Sequence, residues 1–440
     1  MKKSLLFAFL AGATALSGTA AVKVTLTKPG TIGAQVNEPC SFFVSLRNQG
    51  DEVTKVKFGV TVGAGEEYFV DVEPAIPVAT GAYAPFEIAI PAQTEEGSTV
   101  VAVRPVEVNG EEYAGKTVNG NLEVKEFSPR VIPLMEDYTG TWCGFCPQGF
   151  VVMERLHQSY PDKALLIAYH NGDPMAVSGL YSPSSVSGYP SLFLNRSSVN
   201  AAGNTVANAM VKSNEPADVL VNVDASWADA DNCDMNTKVT LTFTKEVVEG
   251  DYRVQIFVIA DDLTGTTSSW KQHSYYGDPT NSYGVYGKPG FIDPLWDQFI
   301  ENEWLNLVFN DVCVADQIKT RKDYDASVPY AEAKTPVVKE YLYKNLNKVN
   351  ESGGNTPIIQ HPDKVKLGAV VVDKQNKFVN CGFAKVQAYN PGSVNTVTDG
   401  DANAPKEYYN LQGVKVNGEN LTPGIYIVRQ GRKVSKIAVR

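Results

Sequence analysis

An apolar strand, a Cys-x-x-Cys turn, an amphipathic helix and a second apolar strand follow one another between residues 131 and 169, and that order constrains the chain more than any other feature. Residues 131–134 form the first apolar run, and Trp142-Cys143-Gly144-Phe145-Cys146 comes next. Phe150, Met153, Leu156 and Tyr160 then fall on one helical face before Pro161 ends the helix. Residues 165–169 are the second apolar strand, so the segment predicts a βαβ unit with a right-handed crossover. A turn-rich connection leads to a third strand at 189–194 and a closing helix at 201–213. The two thiols fit within one helical turn, where they can form or open a disulfide. A CxxC is also half of a zinc site. This chain has no second CxxC and only four histidines, so no metal is expected.

The rest of the chain reads as β structure. Over 21–127, Val22, Val24 and Leu26, then Phe42, Val44 and Leu46, then Val56, Phe58, Val60 and Val62 alternate with polar residues, with turn residues between the runs. This predicts an immunoglobulin-like β-sandwich. Residues 128–213 hold the α/β pattern. Alternation returns over 214–392 in Val219, Val221 and Val223, in Val239, Leu241 and Phe243, and in Val254, Ile256 and Val258, which predicts a second β-sandwich with long loops. A helix is expected near 337–346. A Gly-, Asn-, Asp- and Pro-bearing linker covers 393–404. Residues 405–440 form a short β-rich module with seven Lys/Arg against two Glu; its charge of +5 leaves −15 on the remainder of a chain whose net is −10.

Residues 1–20 read as an export signal: Lys2 and Lys3, an apolar run over 5–11, then small residues. That run is too short to span a bilayer, and no later stretch is long enough. The expected location is the periplasm, the outer-membrane surface or the exterior, where disulfides persist. The negative charge argues against nucleic-acid binding. Cys40, Cys233, Cys313 and Cys381 allow three pairings, among which the spacing does not choose.

A thiolate is the attacking species in disulfide exchange, and a helix N-terminus favours it. With a helix beginning around the motif, Cys143 lies at its N-terminus as nucleophile and Cys146 one turn in as resolving thiol. His170, at the end of the second strand, falls at the same sheet edge as the CxxC and is a further candidate. Asp229, Asp231 and Asp234 lack the Gly and Glu of a calcium loop and fit a hairpin tip. Trp270, Tyr275, Tyr276, Tyr283, Tyr286, Trp296 and Trp304 supply either core or a binding surface.

Residues 134–146, Leu-Met-Glu-Asp-Tyr-Thr-Gly-Thr-Trp-Cys-Gly-Phe-Cys, resemble the active-site strand and turn of the thioredoxin superfamily. The resemblance implies a thioredoxin-like α/β domain. In it Asp137 is the buried acid that takes the proton of Cys146, Tyr189-Pro190 is the cis-proline step that guides a peptide, and Trp142 and Tyr189 contact the substrate. Phe145 and Pro147 depart from the family's usual Pro and Lys. The tail, with Tyr408-Tyr409-Asn410-Leu411-Gln412-Gly413, then Pro423-Gly424-Ile425-Tyr426-Ile427-Val428 and a basic closing run, resembles the C-terminal sorting domain of the type IX system in Bacteroidetes. Together these elements are similar to a Bacteroidetes outer-membrane protein family with a thioredoxin-like core. The implied function is thiol–disulfide exchange on exported proteins, with the Cys143–Cys146 disulfide as the redox group and no other cofactor. The implied partners are exported thiols or disulfides and, through the tail, secretion machinery. The alternative is a non-catalytic surface binding protein in which the CxxC is structural.

Overall fold

The computed structural model describes residues 22–440 except 184, 230–232, 279, 281–291, 317–325, 345, 347–358, 389–405, 410–414, 419–420, 422–423, 431–432 and 440. The export signal expected over 1–20 and the linker expected over 393–404 lie outside the described residues. The chain divides into two compact units, Met1–Gln387 and Ala388–Arg440. Both are built mainly of strands. No helix among the described residues is long and apolar enough to cross a membrane.

In the first unit, residues 22–125 form two sheets that share one core. Val24–Leu26, Cys40–Asn48 and Tyr83–Ile90 make one sheet. The other orders Thr31–Gln35, Val118–Lys125, Gly97–Val108, Val56–Val62 and Tyr68–Val72. Phe42, Leu46, Phe86 and Ile88 from the first sheet meet Ile32, Phe58 and Leu122 from the second, all essentially inaccessible. Alternation puts these residues on inward faces, and each contributes about 1.5–3 kcal/mol by burial.

The site rests on an eight-stranded mixed sheet. Its strands are β1 (Leu134–Thr139), β2 (Leu165–His170), β3 (Ser191–Leu194), β4 (Ser197–Val199), β5 (Tyr252–Ala260), β6 (Val312–Asp316), β7 (Val365–Asp373) and β8 (Phe378–Lys385). They lie in the order β4-β3-β1-β2-β6-β5-β7-β8. β1 and β2 are parallel, with Asp137 opposite Ala168 and Thr139 opposite His170, while β3 runs antiparallel to β1. Helix α1 (Pro147–Ser159) connects β1 to β2. Together with α2 (Thr205–Lys212) and α3 (Pro294–Glu301), it contributes to the apolar cluster on the face that carries Met135, Leu166 and Ala168. The same face continues through Val254, Ile256 and Val258 of β5. There it packs against a three-stranded sheet of Val219–Asp229, Asp234–Phe243 and Pro336–Tyr343.

Three expectations change here. The boundary drawn at 213/214 does not separate two sheets, because β5 to β8 extend the sheet begun by β1 and β2 while also packing on the three-stranded sheet. The helix expected near 337–346 is a strand, Pro336–Tyr343, paired along its length with Asp234–Phe243. β-branched Val337 and Val338 and aromatic Tyr341 and Tyr343 suit a pleated surface. Cys40, Cys233, Cys313 and Cys381 are all buried and none is in a disulfide, so none of the three pairings forms. They pack as small apolar groups.

The second unit has an antiparallel four-stranded sheet ordering Lys415–Val416, Lys406–Tyr409, Gly424–Gln430 and Lys433–Val439.

Candidate functional site

Pro147 sets where the helix starts. It lacks an amide proton and has φ fixed near the helical value, so it fits the first helical position, and Cys146 becomes the N-cap. Cys143 therefore sits in the turn before α1 and Cys146 at its entry, one step earlier than the expected placement. The Cys143 amide donates to Gly140 O at 3.0 Å, the Cys146 amide to Cys143 O at 3.1 Å, and the Phe150 amide to Cys146 O at 3.1 Å. The two sulfurs are joined in a disulfide with Cα atoms 5.4 Å apart. Cys143 is 5% exposed and Cys146 is fully covered, whereas Trp142 is 48% exposed.

Trp142 reaches back to the end of β2, where its indole N–H donates to Asn171 O at 2.7 Å. Its ring meets Tyr189 edge to face at 5.6 Å, and Tyr189-Pro190 is a cis peptide at the start of β3. The residue before Cys143 and the residue before Pro190 are thus in contact.

Asp137 lies beneath α1. Alternation along β1 sends Glu136 to the opposite face, where Arg196 pairs with it at 2.9 Å and the Tyr169 hydroxyl donates to it at 3.2 Å. Asp137 has no such company. It is buried, its Oδ1 has no hydrogen-bond partner among the described residues, and burial pushes its carboxyl up to about 8. A Cβ on Gly149 would come within 2.4 Å of Asp137 Oδ2, so the glycine is what lets the helix lie on the carboxyl. Cys146, three residues earlier, is on the same helical face. A cavity of about 20 Å³ opens beside Asp137, lined also by Thr139, Glu154, His170, Gln272 and Asp311.

His170 is buried at the end of β2, with Nδ1 2.7 Å from Asp173 Oδ2. The same Oδ2 accepts the Thr141 amide at 2.9 Å, which ties the imidazole to the turn that carries the cysteines.

A strap from residues 269–276, far away in sequence, closes one side of that turn. The His273 amide donates to Thr141 O at 2.7 Å, and the Tyr275 amide to Gly144 O at 3.0 Å. Gln272 Nε2 donates to Cys143 O at 3.0 Å. Thr141 Oγ1 donates in return to Ser269 O at 2.8 Å. A Cβ on Gly144 would meet the Tyr275 ring at 2.5 Å, and that ring packs edge to face on Phe145 at 4.9 Å. Sequence reading missed the strap; its signal was the aromatic density over 264–299. That density divides between core, where Trp296 is fully buried, and surface, where Trp304 is 49% exposed and stacks on His273 at 4.3 Å. Tyr283 and Tyr286 lie outside the described residues.

A second polar cluster was also missed. His157 of α1 meets Asp311 at 2.9 Å, and Asp261 completes a group of three possible metal ligands. The Lys366 ammonium pairs with both carboxylates, 3.0 Å from Asp261, and supplies the positive charge. Asp229 and Asp234 face each other across the hairpin they close, as at a hairpin tip, and Asp231 lies outside the described residues.

No family model matches this chain, and no curated protein does. Solved structures with some likeness include HBP35 of Porphyromonas gingivalis, 15% identical over 71% of this chain and 99% of that one, with a TM-score of 0.35. Another is a structural-genomics protein from Agrobacterium tumefaciens, 11% identical over 60% of this chain and 98% of that one, with a TM-score of 0.32. A CARDB domain from Pyrococcus furiosus is 17% identical over 24% of this chain and 89% of that one, with a TM-score of 0.18. None of these carries an argument about activity.

Proposed function

We propose that the chain is an exported thiol–disulfide oxidoreductase whose thioredoxin-like domain acts on envelope or secreted proteins through Cys143 and Cys146. In the reducing direction, the Cys143 thiolate attacks a substrate disulfide, one substrate sulfur leaves as thiolate, and a mixed disulfide forms. Asp137 then takes the proton of Cys146. The Cys146 thiolate attacks Cys143, the Cys143–Cys146 bond forms, and the second substrate sulfur leaves and is protonated by solvent. The substrate gains the two electrons that the thiol pair loses. Trp142, Tyr189 and Pro190 flank the approach to Cys143 and guide the incoming chain. The tail is proposed to direct secretion.

The observation that carries this reading is the buried Asp137 carboxyl beneath the helix that Cys146 caps, whose Oδ1 has no hydrogen-bond partner among the described residues. A buried, unpaired acid costs stability. A disulfide that only staples a loop has no use for one, whereas a resolving thiol needs a base nearby. One observation favours the second reading, a binding protein with a structural CxxC: both sulfurs are almost covered and the strap holds their turn.

The Cys146→Ser variant decides between them. Expressed in cells, it traps exported proteins as mixed disulfides through Cys143 if the site turns over. No trapped adduct, together with no insulin-reducing activity in the unaltered protein, would sink the oxidoreductase.

A further inference from the structure

Asp137 shares its cavity with an imidazole to which no role has been given. Asp137 and Thr139 on β1 stand in register with Ala168 and His170 on β2, so all four side chains occupy the helix-facing side of the sheet, and all four line the cavity. At about 20 Å³ it has room for about one water. His170 Nδ1 is committed to Asp173, whose carboxyl also accepts the Thr141 and Met175 amides at 2.9 Å each. Burial acts to raise that carboxyl, but His170 and the two amides outweigh it and hold Asp173 below the usual carboxylate range. An ionised Asp173 takes Nδ1–H as its donor, which leaves Nε2 as the acceptor nitrogen of the ring. His170 and Asp137 line the same water-sized cavity.

The other ionisable groups at the cavity are already engaged. Glu154 of α1 accepts from Gln158 at 2.7 Å and from Asn310 at 3.1 Å. Asp311, at the entry to β6, is held by Lys366 and His157. Gln272 from the strap is neutral.

We propose that His170, oriented by Asp173, is the proton partner of Asp137 across this cavity, a positioning residue for the resolving step. The inference rests on the thiol–disulfide reading above. Asp137 first passes its own proton through one water to the His170 imidazole; once ionised, it takes the proton of Cys146 as Cys146 attacks Cys143, and the imidazolium gives its proton to solvent. When the Cys143–Cys146 bond is reduced, Asp137 returns a proton to the Cys146 thiolate and is reprotonated from solvent through His170. The bond broken in the resolving step is Cys143–S(substrate), and the departing thiolate is protonated by solvent. Because Asp173 binds both His170 and the Thr141 amide, the imidazole keeps a fixed position relative to the cysteine turn.

The test follows the Asp137 carboxyl by carbon-13 NMR through a pH titration of the full-length oxidised protein. It compares the unaltered chain with H170N, which keeps an N–H for Asp173, and H170Q. The expected result is a displacement of the Asp137 midpoint by about one pH unit in both variants. In parallel, release of a chromogenic thiol from a Cys143 mixed disulfide should lose the corresponding limb of its pH–rate profile. In a D137N background, H170N should add no further change. If both His170 variants unfold, D173N frees the imidazole without altering it, and the same displacement is expected. An unmoved midpoint and an unmoved profile, with thiol release intact, overturn the His170 assignment alone. No thiol release from the unaltered protein overturns the oxidoreductase reading and the proton-partner role with it.

Discussion

Asp137 and Asp311 are both buried carboxyls on the wall of one small cavity, and the chain treats them in opposite ways. Burial acts to raise both. At Asp311 the Lys366 ammonium and the His157 ring outweigh it and hold the carboxyl below its ordinary range. At Asp137 nothing opposes burial, and the carboxyl is pushed up to about 8. The contrast teaches that low polarity alone does not decide what a buried acid is for. The fold supplies cations in this neighbourhood and directs them to Asp311, which makes it a structural ion. Withholding them from Asp137 leaves an acid that exchanges its proton near neutral pH.

The largest test of that contrast removes the cation. K366M leaves buried Asp311 and half-buried Asp261 without their shared partner and should cost about 3–5 kcal/mol in urea denaturation; a loss under about 1 kcal/mol would mean that His157 alone suffices. Next is D137N. The folded protein keeps a proton on Asp137 up to about 8, while the unfolded chain loses it near its ordinary value of 3.8. Asp137 therefore contributes stability that is fully present below the unfolded value and is lost as pH rises through about 8. D137N should match the parent chain at pH 4 and exceed it at pH 9 by roughly 2–4 kcal/mol. Equal stability at both pH values would remove the unpaired-acid picture. The smallest effect belongs to G149A. Alanine favours a helix by about 1 kcal/mol, but its Cβ meets the Asp137 carboxyl, so the net result should be a loss of about 1–2 kcal/mol by thermal denaturation at pH 6. In a D137A background the sign should reverse to a small gain.

The multidomain, strand-rich character was legible because alternation is local: Phe42-Val44-Leu46 and Val254-Ile256-Val258 each announce their own inward face. Helix α1 was legible for the same reason, through Met153 and Leu156 and the stop at Pro161. What escaped was pairing over long distance. Nothing in 252–260 or 365–373 says that these strands continue the sheet begun at Leu134, because hydrogen-bonded neighbours leave no periodic trace in sequence. The strand Pro336–Tyr343 was misread because a short apolar run fits either period, and its partner strand settles the matter. At the site, the neighbours of the CxxC in sequence were readable. Gln272 and Tyr275, more than a hundred residues away, were not. Lys366 and Asp311 carried no spacing that would join them.

The strap makes the cysteine turn lopsided. Thr141, Cys143 and Gly144 all give their carbonyls to residues 272–275, while Trp142 turns to Asn171 and Tyr189. The conformation of the turn therefore depends on the backbone of the strap as well as on its own residues, and a change at 272–275 reaches the disulfide through those shared carbonyls. The hold on the turn thus lies far along the chain from the cysteines it fixes.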